Sequence, residues 1–141
     1  MGATMLVNFP LFLISFAIYN MIAFLTPGVS WTDPVYSVTM QSGATWPITF
    51  GDILVALTLG FLFFEVLKAT KHAARSLIDH LLSTVVFVGA LVEFLLVREA
   101  ATSIFALLLM IAFVDVLGGW SVSVRTARRD LTVEAMPDNI P

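Results

Sequence analysis

A chain of 141 residues that is 59% hydrophobic and only 12% charged, with a mean hydropathy of +0.97, has more apolar surface than a soluble domain of this size can bury, so a bilayer is its expected solvent. The lack of cysteine excludes disulfides, thiolate metal sites, thiol catalysis and S-acylation. A net charge of -3, with no basic cluster beyond two short groups flanking apolar runs, argues against nucleic acid as a partner.

Four apolar spans are expected. The first covers about residues 6–25, with Pro10 near its start, where a missing N–H costs least, and Thr26-Pro27-Gly28 to stop it. The amino terminus has no basic n-region and no small-x-small cleavage site, so it reads as an uncleaved first span. Residues 27–49 form an external loop rich in Ser, Thr, Trp and Pro. Within it Val35 to Met40 leans towards β structure, Gln41-Ser42-Gly43 is a turn candidate, and Ala44 to Thr49 is a second extended run broken at Pro47. Trp31, Tyr36 and Trp46 suit the headgroup zone, where an amphipathic ring meets both solvents.

The remaining spans are about 50–67, 77–97 and 101–122, each near the ~20 residues that cross ~30 Å of hydrocarbon. Arg98-Glu99 makes the tight turn between the last two. The tail, residues 123–141, begins with Arg125, Arg128 and Arg129 and is expected to fray towards its prolines. Lys68, Lys71 and Arg75 fall on the same side as the three tail arginines, against Arg98 alone on the other. The positive-inside rule therefore places both termini in the cytoplasm, in what reads as a bacterial inner membrane. The expected fold is all-α: one domain, residues 1–141, forming a four-helix transmembrane bundle with a short external β-leaning cap between helices one and two.

Polar residues inside apolar spans are expensive and so are the functional candidates. Counting ~1.5 Å per residue puts Asn8, Glu65, His80 and Asp115 in one inner layer, and Asn20, Asp52, Glu93 and Arg98 in an outer one. Small residues mark helix packing in lipid: Ala56 and Gly60, Gly89 beside Glu93, and Gly118 and Gly119 beside Asp115. Several candidates have a structural explanation. Glu65 lies one turn from Lys68, Asp52 complements the dipole of its helix, Glu93 has Arg98 nearby, and His80 sits beside Asp79 at a helix start. Asp115 has no basic residue within a turn on its own helix.

Glu65, His80 and Asp115 match a two-carboxylate, one-histidine metal set in ligand type only, since they come from three helices with no diagnostic spacing. A single membrane-buried histidine cannot make a bis-histidine haem site, and neither a nucleophile constellation nor a phosphate loop is present. No metal, cofactor or enzymatic activity is expected. The leading expectation is a non-enzymatic integral membrane subunit or scaffold, with the lipid bilayer and other membrane subunits or further copies of itself as partners. The alternative is a small proton- or cation-coupled channel or transporter that uses the intramembrane carboxylates.

Overall fold

The computed structural model describes residues 10–71 and 76–134, so Asn8 and Arg75 lie outside the described residues. The protein is mostly helical, with one two-stranded sheet. Helix α1, Phe12–Leu25, ends where the Thr26 hydroxyl turns back to donate to the Ile22 carbonyl at 2.6 Å, and Pro27 cannot continue the ladder.

Strands β1, Pro34–Thr39, and β2, Thr45–Thr49, pair antiparallel, as the β-leaning runs predict. Gly43, at φ +82°, closes the turn by donating its N–H to the Met40 carbonyl at 2.9 Å, a conformation few side chains tolerate. Pro47 is accommodated opposite Ser37 because a two-stranded ribbon leaves outward-facing N–H positions unused. The register pairs Tyr36 with Ile48 and Val38 with Trp46, which gathers the apolar side chains on one face. The pairs Ser37–Pro47 and Thr39–Thr45 occupy the other.

β2 passes directly into α2, Phe50–Lys71. The Asp52 carboxylate accepts from the Thr49 N–H (2.9 Å) and hydroxyl (2.8 Å), while the Asp52 N–H donates to the Thr49 hydroxyl (3.2 Å), a capping box that fixes the start of the helix. α2 runs past the expected end at residue 67, since nothing in Lys68-Ala69-Thr70-Lys71 breaks a helix. α3, Ser76–Leu96, leads through a 3-10 turn, Arg98–Ala100, into α4, Ser103–Glu134. α4 runs past the expected span end at residue 122 and continues through the arginine-bearing segment, while the proline-bearing end of the tail lies outside the described residues. No glycine or proline lies between Ser121 and Glu134 to end it.

α4 is central and packs against the other three helices. The core gathers on Phe105, which is fully buried, with the rings of Tyr19 at 4.9 Å, Phe16 at 5.2 Å and Phe94 at 6.1 Å. The Tyr19 hydroxyl donates to the Glu99 carbonyl (2.9 Å) and so accepts from the Thr102 hydroxyl (2.6 Å), which in turn accepts the Phe105 N–H (3.2 Å) at the start of α4. One tyrosine thus ties α1 to the α3–α4 turn. The Tyr19 ring also stacks on half-buried Trp31 at 4.4 Å, which ties Trp31 to the bundle. Ser15 and Thr58, both fully buried, share a 2.7 Å hydrogen bond between α1 and α2.

Among the described residues, two helices are long and apolar enough to cross a membrane, over Phe50–Lys68 and Ser103–Ser121. Phe12–Leu25 and His80–Leu96 are apolar but shorter.

Candidate functional site: a polar seam through the bundle

Glu65 projects from the seventh-tenths point of α2 into a nearly closed environment and is 7% exposed. Its Oε2 pairs with Lys68 Nζ at 2.8 Å, the i,i+3 pairing legible in the sequence. Its Oε1 accepts the Leu11 N–H at 2.7 Å. That N–H belongs to the start of α1, where helices leave their first donors without intrahelical partners. The carboxylate therefore satisfies a cation on its own helix and a helix terminus 54 positions away.

The seam continues between α3 and α4. The Asp115 carboxyl is half-buried, hydrogen-bonded to the Ser83 side chain, and near enough to Glu65 and Lys68 to sense their charges. One turn along α4, Gly119 lies directly against the His80 ring, and a Cβ at that position would overlap the imidazole. One residue further, the Trp120 indole N–H donates to the Thr84 hydroxyl at 3.2 Å, and that hydroxyl donates to the His80 carbonyl at 2.7 Å. Glu65, His80 and Asp115 are thus brought to one part of the bundle. Among the described residues, no group of three histidine or carboxylate side chains is arranged to hold a metal ion.

The outer candidates separate. Asp52 is exposed and belongs to the capping box of α2. Glu93 and Arg98 form no ion pair among the described residues, contrary to the pairing suggested above. α3 ends at Leu96 and Arg98 stands in the 3-10 turn, so the helical spacing that would align the two is interrupted. Asn20 and Glu93 do share a location: both line a groove of about 270 Å³ between α1 and α3.

The small residues also divide. Gly119 makes a tight helix contact, whereas a Cβ at Gly60, Gly89 or Gly118 would meet nothing within 4 Å, and Ala56 is exposed, so these four do not mediate packing within the chain. Gly51, which sequence reasoning did not single out, does: a Cβ there would press on Ile104 and the Trp31 carbonyl. Among the proposed anchors, Tyr36 and Trp46 are exposed on the ribbon, Lys68 is turned to Glu65, Lys71 lies in the last turn of α2, and Arg125, Arg128 and Arg129 lie in α4. Sequence reasoning also missed the hydroxyls Ser15, Thr58, Ser83 and Thr102. Their only signal is a serine or threonine inside an apolar run.

The seam allows a direct test. Asp115→Asn keeps an acceptor for Ser83 and is expected to leave the unfolding midpoint in detergent nearly unchanged. Asp115→Leu removes that partner and is expected to cost about 1–3 kcal/mol in the same measurement. Equal effects of the two would show that the hydrogen bond does not stabilise the seam.

The fold and the seam define a class: a helical bundle, centred on one long helix, with a β-ribbon at one end and its interior polar groups spent between helices. Comparison with known protein families, with curated proteins and with solved structures returns no match.

Proposed function

We propose that the protein is a small, non-enzymatic integral membrane subunit or scaffold, a bundle of four membrane-embedded helices whose outer surface meets lipid and a partner complex or further copies of itself. The observation that carries this reading is the inversion of surface and interior. Only 22% of the apolar stretch of α2 and 39% of that of α4 is buried within the chain, with Phe63, Phe64, Met110 and Leu117 facing outward. A soluble bundle hides such stretches, and apolar patches of this extent mark contact with membrane or protein. Inside, Glu65, Lys68, Asp115 and Ser83 engage one another and the start of α1, the use expected of polar groups that hold helices together in lipid. In this reading α1 and α3, whose described apolar stretches are shorter, complete the bundle beside the two longer spans. Ala56 and Gly60, open on α2, offer a small-residue face for an external helix.

The test is gentle extraction from native membrane followed by mass determination. A stoichiometric partner or a defined homo-oligomer is the expected result, and a lone monomer that retains all activity attributable to the gene overturns the reading. A second reading, a proton- or cation-coupled carrier, rests on Asp115 alone, the half-buried carboxylate beside a second acidic group. pH-dependent flux in liposomes containing only this chain, lost in Asp115→Asn, would favour it.

A further inference from the structure

The groove between α1 and α3 has the features of a binding site, and its chemistry is independent of the subunit reading. Its lining is mostly apolar, with Leu13, Phe16 and Val86, and it is left open where Ala17, Gly89 and Ala90 carry little or no side chain. Its polar end is made by Asn20 and Glu93. Residues 13–20 and 86–93 each run about two turns, ~10 Å, so the empty space of about 540 Å³, its open mouth included, spread over that length is at most roughly 50 Å² in section. An α-helix with side chains is about 10–12 Å across and does not fit such a slot, but a single extended hydrocarbon chain does.

The polar end specifies the head of that chain. Asn20 Oδ1 is buried and has no hydrogen-bond partner among the described residues. An acceptor left this way costs about 1–3 kcal/mol unless a donor reaches it. Glu93, the second polar group, forms no ion pair among the described residues and is half-buried on the same groove. Asn20 brings an acceptor without a partner, and Glu93 brings a carboxylate that forms no ion pair among the described residues. A protonated amine answers both: it donates to the two oxygens and neutralises the charge. An ionised acid of the same chain length would place a second negative charge beside Glu93.

The geometry points to a binding site in this groove for a single-chain amphiphile with a primary amine head, its chain lying along Leu13, Phe16 and Val86 and its ammonium group held between Asn20 and Glu93.

The test uses the full chain in phosphatidylcholine nanodiscs and a dodecylamine carrying a photoreactive diazirine on its chain. Saturable labelling of α1 and α3 peptides is expected, competed by dodecylamine at least tenfold more effectively than by lauric acid. Glu93→Gln should weaken labelling at least tenfold. Gly89→Leu should abolish saturation, and since a Cβ at Gly89 meets nothing within 4 Å, that variant can fill the slot without disturbing the fold. Competition by phosphatidylethanolamine would make a lipid ammonium the natural source of the amine, and its absence would leave a free single-chain amine as the occupant. Labelling that does not saturate and spreads to the outward face of α2 at Phe63 and Phe64 would overturn the proposal. Equal competition by the amine and the acid, or full binding by both Glu93→Gln and Gly89→Leu, would overturn it as well.

Discussion

Gly119→Val should loosen the bundle by about 3 kcal/mol, the upper end of the usual cost of overpacking, while Gly118→Val should stay within about 0.5 kcal/mol. The two glycines are neighbours, but one helical residue is a rotation of about 100°. A side chain at Gly119 would run into the His80 ring, and one at Gly118 would meet open space. Denaturant unfolding in detergent, followed by tryptophan fluorescence, measures both, since Trp120 adjoins the contact through Thr84. A second mutation, His80→Ala, should recover at least half of the loss in Gly119→Val and little elsewhere, because it removes the ring that the new methyls strike. If Gly118→Val proved the damaging change, α4 would be rotated relative to α3 and the seam described above would not exist.

Glu65→Leu should have the next largest effect, about 2–3 kcal/mol. Removing one partner from a fully buried ion pair costs about 3–5 kcal/mol, but the Lys68 side chain is 20% exposed and can turn partly to solvent, which lowers the charge component. The remainder comes from the Leu11 N–H, which loses the Glu65 acceptor at the start of α1. Glu65→Gln separates the two contributions, because the amide oxygen can still accept from Leu11. It should cost clearly less than Glu65→Leu, with α1 still docked, as read by amide exchange over residues 11–15. Identical destabilisation by Gln and Leu would show that the Lys68 pairing, not the tie to α1, is what matters.

These two residues also show which parts of the structure were legible in the sequence. The Glu65–Lys68 contact was, because helical spacing alone places the two side chains together. The second half of the same carboxylate's role was not: its partner is a backbone N–H 54 residues earlier, and no local pattern encodes which helix end comes to rest beside it. The ribbon was legible because two β-leaning runs flank a Gln-Ser-Gly turn, and the turn requires its glycine for a positive φ. Asp52 was legible as a helix-start residue, though only the structure shows its exchange of bonds with Thr49. The sequence did not tell the glycines apart. Small size permits close approach but does not say on which side the neighbour lies, so Gly119 and Gly118 look alike in sequence and differ completely in space. The hydroxyl clasps, Ser15 with Thr58 and Tyr19 with Thr102, were invisible because a lone serine or threonine in an apolar helix more often bonds its own preceding turn.

The junction of ribbon and helix has a mechanical consequence. Thr49 is the last residue of β2 and Phe50 the first of α2, so no linker separates them, and the capping box locks the corner. Gly51 is wedged between Ile104 and the Trp31 carbonyl, which it also meets by donating its N–H at 3.0 Å. A joint without slack transmits torque. The orientation of the ribbon is therefore fixed by the first turn of α2, and the exposed Tyr36 and Trp46 are held at a set angle to the helix that carries Glu65.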